Sequence, residues 1–429
     1  MDRGEPDVRG TDTAVHGTTQ NIRATAPFQR YLASLRGSSE LDPNDALTAA
    51  LPSSVRRKAG AFFTSAGLAD ALVEPFAIDF KGDVRVVDPT CGAGDLLLAA
   101  ARQFKHANDR ESRLDEWERK IFGRDLFEEF VLSARLRMYR AAQPDLCVPD
   151  LQQLFPGIRR GCSLKSVDAY ESASHVLLNP PYTLVRAPSD CEWRTGRVSS
   201  AALFMESVVK NCEAGTRIGA VLPDVLRSGS GYEKWRTMLS RLLEIEQVQI
   251  VGRFARWADV DVFLLHGVVR KAAGKLETSW PLTKQSADTI AQHATISVGP
   301  VVDYRSPRQG PWQAYLTVDN APPWGATKST DLSCRRFQGR TFQPPFVVVR
   351  RTSRAGDAHR MVGTLVTGGR RVAVENHLLV LRPMLRTVSA CEALITRLKD
   401  PRTTAWLNER IRCRHLTVGS VNELPWWGQ

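Results

Sequence analysis

Asn179-Pro180-Pro181-Tyr182 stands at the end of a short apolar run, "HVLLN" (175–179), and combines residue types that a plain turn does not need. Two consecutive prolines stiffen the backbone, because each ring fixes its own φ. A loop built this way points the Asn179 amide oxygen and the Pro180 carbonyl oxygen at one spot. Two acceptors converging there can hold both hydrogens of an exocyclic amine on an aromatic base. Such an amine is conjugated with its ring and is a poor nucleophile. Drawing its N–H bonds out of the ring plane frees the lone pair for attack. Tyr182 offers a flat face on which the base can stack. Asparagine suits the acceptor role because it stays neutral and needs no proton balance.

A second stretch, "VVDPTCGAGDLL" (86–97), has the form of a strand, a glycine-rich turn and a helix start. Gly92 and Gly94 remove side chains where a backbone must approach a ligand, and Asp95 is placed to cap the helix that follows. A helix N-terminus favours phosphate, but Asp88 and Asp95 put negative charge where a pyrophosphate would sit, and no Gly-Lys-Ser/Thr follows. A ligand carrying an ammonium or sulfonium group fits these carboxylates better. Asp125, at the end of "KIFGRDL", is where an acid can bind ribose hydroxyls. Asp168, in "SLKSVDAY", is placed upstream of the 175–179 strand to accept from an adenine amino group.

These residues need a scaffold that brings strand ends together. From about residue 50 to 275, β-branched runs alternate with amphipathic stretches. Strands are expected at 83–90, 120–126, 175–179, 217–224, 246–254 and 261–269. Helices are expected at 95–104, 127–142, 200–212 and 231–243. This alternation predicts an α/β fold with a doubly wound, mostly parallel sheet, whose ligands sit beyond the C-terminal strand ends. After residue 276 the chain becomes Pro-, Gly- and Arg-rich, with short strands at 346–351 and 375–383. The expected organisation is a disordered or loosely helical segment over 1–50, a catalytic domain over 51–275 and a mixed, strand-rich domain over 276–429.

Charge divides the chain in the same place. Net charge is +12, and residues 277–429 hold 21 Lys+Arg against 11 Asp+Glu. Arginine forks match phosphates and guanine edges, so this third reads as a polyanion-binding surface, with Arg350, Arg351 and Arg354 as candidate DNA contacts. No apolar run approaches the roughly 20 residues that span a bilayer, which argues against a membrane partner. The N-terminal residues lack an apolar signal core, and a cytoplasmic location is expected. The eight cysteines form no C-x-x-C pair, so reduced thiols are expected and no metal site.

With these motifs in order, the chain resembles the γ class of adenine-N6 DNA methyltransferases, the modification enzymes of many restriction–modification systems. The likeness covers roughly residues 56–270. "RRKAGAFFTS" resembles the family's motif X, "VVDPTCGAGDLL" motif I, "GRDL" motif II, "SVDAY" motif III and "LLNPPY" motif IV. "SAALFMESVVKNCEAGTRIGAVLPD" resembles the stretch of motifs V and VI. The resemblance implies the class I methyltransferase fold and S-adenosylmethionine as cofactor. By it, Thr64, Asp88, Cys91, Gly92, Gly94, Asp125 and Asp168 line the cofactor site. Asn179, Pro180, Pro181 and Tyr182 engage an adenine rotated out of duplex DNA. Motif VIII supplies an aromatic residue for the far face of the base, either Phe254 or Trp257, with Phe254 preferred. The basic C-terminal domain becomes the target-recognition domain, and a cognate restriction endonuclease becomes an expected partner. Two other readings share parts of this pattern. One is methylation of RNA or of a protein glutamine by the same four residues, which gives no use for the basic C-terminal third. The other is a non-catalytic DNA-binding subunit, which gives no reason to keep Asn-Pro-Pro-Tyr intact.

Overall fold

The computed structural model describes residues 64–80, 82–104, 110–143, 150–255, 258–270, 280 and 286–428. The expected segment 1–50 lies outside them. The chain divides into two compact units, each built from separated stretches. The first holds residues up to Pro223, then Lys234–Val251 and Val262–Trp280. The second holds Asp224–Glu233, Gly252–Asp261 and everything from Pro281. The division is therefore not the single linear boundary expected near 275: two short inner segments are counted with the C-terminal unit.

The first unit is organised around a seven-stranded sheet. Its strands are β1 (Val86–Asp88), β2 (Ile121–Asp125), β3 (Ile158–Arg160), β4 (His175–Leu178), β7 (Arg217–Pro223), β8 (Leu243–Ala255) and β9 (Ala258–Val269), and they lie in the order β3-β2-β1-β4-β7-β9-β8. A small antiparallel hairpin, β5 (Leu184–Arg186) and β6 (Arg197–Ser199), stands apart from this sheet. Strands β3, β2, β1, β4 and β7 run parallel, and β9 turns antiparallel against β7. The central strands carry apolar residues on both faces because both faces of the sheet are covered: Val86, Val87, Val176, Leu177 and Leu178 are all buried. Helix α1 (Ala66–Val73) lies against β9, where His266 Nε2 is 2.7 Å from the Leu72 carbonyl oxygen. Helices α2 (Asp95–Ala101), α3 (Arg110–Lys120) and α4 (Glu128–Ala142) close a core of Leu97, Trp117, Ile121, Val131, Leu136 and Phe155. Helices α5 (Ser200–Asn211) and α6 (Glu233–Leu242) meet where Trp235 Nε1 donates to the Ala202 carbonyl.

The second unit contains a five-stranded sheet, β10-β17-β14-β15-β12, and a three-stranded sheet, β13-β11-β16. Their spans are β10 (Ala294–Val298), β11 (Trp312–Leu316), β12 (Ala326–Lys328), β13 (Cys334–Arg336), β14 (Phe346–Arg350), β15 (Gly363–Thr367), β16 (Val372–Val374) and β17 (Leu378–Pro383). Strand alternation splits β14 between two cores. Val347 and Val349 pack with Leu394, Leu398 and Leu407 of helices α7 (Val388–Lys399) and α8 (Pro401–Arg410). Phe346 and Val348 pack with Ala314, Leu316, Val372 and Val374 of the smaller sheet. Within this unit the inner segments are held to the C-terminal stretch. Asp224 accepts the Arg412 backbone N–H at 2.9 Å, and Arg412 lies 3.6 Å from Asp261.

Candidate active site

The order of the first-unit sheet reverses direction between β1 and β4, the position at which an open parallel sheet leaves a crevice beyond its strand ends. Beyond β1, Gly92 and Gly94 adopt φ values of 52° and 85°, the left-handed region that glycine enters without strain. A Cβ at Gly92 would meet nothing within 4 Å, so the backbone faces open space there. A Cβ at Gly94 would lie 3.1 Å from the Ala134 Cβ on α4, so this glycine also serves close packing. The open space is a pocket of about 250 Å³ lined by Thr64, Asp88, Cys91, Gly92, Asp95 and Asn179, together with Thr90, Ala93 and Leu96.

Carboxylates hold the turn in shape. Asp125 accepts from the Gly92 backbone N–H at 3.1 Å and from the Phe127 N–H at 2.9 Å. Asp95 accepts from the Thr64 backbone N–H at 3.1 Å and pairs with Arg137 of α4 at 2.9 Å. Arg137 also donates to the Ala93 carbonyl at 2.6 Å. Asp88 is buried, and its hydrogen-bond partners among the described residues are the Thr90 N–H at 2.9 Å and the Thr90 hydroxyl at 3.3 Å. Burial, only partly offset by Thr90, pushes the Asp88 carboxyl up to about 8. Loss of water likewise lifts Asp125 to about 6, against the backbone N–H groups that lower it. Cys91 packs into the core cluster with Leu97, its backbone N–H donates to the Arg124 carbonyl at 2.9 Å, and burial raises its thiol well above the ordinary range.

Asn179 follows β4 directly and is held from two sides. Its Nδ2 donates to Thr64 Oγ1 at 2.8 Å, and its Oδ1 accepts from the Tyr182 hydroxyl at 2.7 Å. That hydroxyl is also 3.2 Å from the Val221 carbonyl on β7. Pro180 is buried, and the Pro181 carbonyl accepts from the Ser200 hydroxyl at the start of α5, which anchors the loop to the next helix. Thr64 thus joins the turn beyond β1 to the loop beyond β4 through its backbone and its hydroxyl.

Asp168 is not brought into this pocket. Both of its carboxylate oxygens accept from Arg124 at 3.2 Å, and one accepts from the Ser166 hydroxyl. These bonds hold Asp168 at about 2. With Arg124 it lines a different pocket, on the sheet face opposite α2, since a Cβ at Gly123 would point at Leu97 and Cys91 while Phe122 and Arg124 point the other way. The end of the third parallel strand instead carries Cys162 and Ser163, and Ser163 Oγ donates to the Pro89 carbonyl at 2.7 Å. Sequence reasoning missed Ser163 and Arg137. An arginine between the apolar positions of an amphipathic helix was the available signal for Arg137. Phe254 is buried in the part of β8 that belongs to the second unit, and Trp257 lies outside the described residues. In the second unit Arg350 ends β14 half-buried, Arg351 is half-buried with its N–H donating to the His377 carbonyl at 2.8 Å, and Arg354 is exposed. Among the described residues no group of His, Cys, Asp or Glu is placed to hold a metal ion, and no helix is long and apolar enough to cross a membrane.

Strand order, the antiparallel β9 and the polar strand ends define the class I methyltransferase fold. Residues 47–255, the range that carries these motifs, match the family described as N-6 DNA Methylase. Among solved structures, the type IIL restriction-modification enzyme MmeI in complex with DNA is similar at a TM-score of 0.55 and 12% identity, covering 88% of this chain and 70% of that one. The M protein of the type I restriction enzyme EcoKI is similar at a TM-score of 0.40 and 18% identity, covering 57% and 55%. A type I restriction-modification methyltransferase subunit from Streptococcus thermophilus gives a TM-score of 0.36 and 18% identity, covering 53% and 50%. The chain thus spans about half the length of these two type I proteins. At 12% identity the likeness to MmeI is one of fold. No curated protein matches the sequence.

Proposed function

We propose that the protein transfers a methyl group from S-adenosylmethionine to the N6 amino nitrogen of an adenine rotated out of duplex DNA, as the modification enzyme of a restriction–modification or related defence system. The observation that carries this reading is the amide of Asn179, fixed at the end of β4 and lining the same pocket as Asp88 and Gly92. The residues fit the cofactor: a desolvated carboxylate whose partners among the described residues are both on Thr90 suits a cationic ligand, and the bare face of Gly92 leaves room for it. When bound, the cofactor supplies an electrophilic methyl on a positively charged sulfur. Asp125 and Asp95 hold the glycine turn open. Asn179 Oδ1 exchanges the Tyr182 hydroxyl for an amine N–H of the base, and the Pro180 carbonyl takes the other, so the amine lone pair points along the line of attack. With the cofactor bound, this nitrogen would be placed to take the methyl group with loss of the S–C bond, and would then give up one proton to water. Catalysis on this account is positioning and preorganised hydrogen bonding. The base must leave the stack because its amine is unreachable within a duplex. Tyr182, with Phe254 as the preferred second ring, stacks on it. The basic second unit grips the duplex, with Arg350, Arg351 and Arg354 among its contacts. Methylation-aware sequencing of DNA from cells expressing the protein tests the reading. Methyladenine at one recurring sequence is expected, and its absence together with methylated RNA or protein glutamine would overturn it.

A further inference from the structure

The second unit carries an exposed aromatic and basic surface made of residues other than those that line the pocket of the first unit. Tyr304 and Trp312 are 81% and 67% exposed, the most exposed aromatic side chains among the described residues. They bracket a loop that is tied down from below. Arg335 is buried, pairs with Asp303 and donates to the Ser306 carbonyl at 2.7 Å. Arg336 Nε donates to the Gly310 carbonyl at 3.1 Å, and the Ser306 hydroxyl accepts the Val302 N–H at 3.0 Å. Gly310 has φ of 90°, and a Cβ there would come within 2.8 Å of the Gln338 side chain, so the loop has one way to pack. Holding large rings in water on a fixed loop costs apolar exposure with no return in the isolated protein.

Each ring has a guanidinium beside it: Arg305 lies 5.4 Å from the Tyr304 centroid and Arg336 6.0 Å from that of Trp312. The segment from Arg336 to Phe342 then leads to a second group. Arg340 and Arg382 both lie over the buried Phe342 ring, at 4.9 and 5.8 Å. Arg382 Nε is buried with no hydrogen-bond partner among the described residues. Burial, and the neighbouring guanidiniums of Arg340 and Arg386, push Arg382 below its usual range. Across residues 302–312, 334–342 and 382–387 the single acid is Asp303, which Arg335 already occupies. Like charges gathered without a counter-charge call for an external anion.

We propose that duplex DNA docks on this surface, with Arg340, Arg382 and Arg386 taking backbone phosphates and the Tyr304–Trp312 loop lying against base edges and sugars. This rests on the DNA-methyltransferase reading and adds to its docking surface residues beyond Arg350, Arg351 and Arg354. Apolar and aromatic groups beside arginine suit the groove, where thymine methyls and base edges are within reach.

The test is fluorescence anisotropy of a labelled random-sequence duplex across a salt series. The R340Q/R382Q/R386Q variant is expected to flatten the slope of log affinity against log salt by about two to three, near 0.9 for each phosphate no longer neutralised. Calorimetry should show its S-adenosylmethionine binding unchanged. If that variant does not fold, R340Q/R386Q leaves the half-buried Arg382 in place and should flatten the slope by about two. Trp312→Ala and Tyr304→Ala are expected to keep the slope and lower methyl transfer at the methylated sequence about tenfold each, the scale of one lost base-edge contact. A wild-type slope in the Arg340 set, with flattening on replacing Arg350, Arg351 and Arg354, overturns this surface and leaves the enzyme reading intact. A wild-type protein with no salt-dependent duplex binding overturns both.

Discussion

At Asn179 the amide is clamped between the Thr64 hydroxyl and the Tyr182 hydroxyl, so its orientation is set before a base arrives. Replacing it with alanine removes the acceptor but leaves Pro180 and Pro181 to shape the loop. Asn179→Ala is expected to lose about two to three decades in single-turnover methyl transfer, or ~3–4 kcal/mol, while binding DNA and cofactor. Transfer near wild type per folded molecule would remove Asn179 from catalysis. Tyr182→Phe keeps the ring and releases the acceptor from its resident hydroxyl, so transfer within about tenfold of wild type is expected, whereas Tyr182→Ala should lose ~1–3 kcal/mol of base stacking. Asp88 makes a pH prediction. Its carboxyl, at about 8 in the folded protein against an ordinary 3.8, stays protonated at pH 7. The unfolded chain gives up that proton near 4, so the Asp88 contribution to stability falls as pH rises from about 4 to about 8. A cation bound beside it reverses the preference. Binding of S-adenosylmethionine at pH 7 should therefore release protons and strengthen as pH rises toward 8. Calorimetry in buffers of different ionisation heat checks this, and Asp88→Asn should abolish the Asp88 share of the release.

The elements explain which of these residues could be read beforehand. Strands β1, β2, β4 and β7 are apolar runs ending in a polar residue, and their sequence pattern located them to within a few residues. Strand β3 is Ile158-Arg159-Arg160, an edge strand with two charged residues in three, and no periodicity distinguishes it from a loop. Without it the sequence points to Asp168, upstream of β4, rather than to Cys162-Ser163, and Arg124 holds the Asp168 carboxylate. The tie from Thr64 to Asn179 spans 115 positions and has no local signature. The glycine turn was legible because its residues answer to backbone geometry. Gly94→Val is expected to fail at this scale, since a β-branched side chain is strained at φ of 85° and its Cβ meets Ala134 at 3.1 Å. A cost of roughly 1–3 kcal/mol for the backbone alone should lower the melting temperature and weaken cofactor binding together. A variant with wild-type melting and wild-type cofactor affinity would show that the turn tolerates a side chain.

For the whole molecule, composition pointed to a basic C-terminal third and to a boundary near 276, but it held no sign that the chain passes between the units more than once. Asp224–Glu233 and Gly252–Asp261 have ordinary composition, and what assigns them to the second unit is contact at a distance, such as Asp224 with the Arg412 N–H. A fragment ending at residue 275 is therefore expected to melt lower than the full chain and to aggregate, because the carboxylates of Asp224 and Asp261 lose Arg412. Static light scattering and a thermal melt would show it, and a monomeric fragment with full-length stability would count against the division. The same interleaving decides what can be transplanted. A unit built from one continuous stretch can be exchanged between related chains by one cut. This one is sewn into its host at three places. Grafting residues 281–428 onto a foreign catalytic unit would leave Arg412 facing strangers at 224 and 261. New specificities on this scaffold would have to arise by altering side chains in place, or by exchanging all three stretches in a single event.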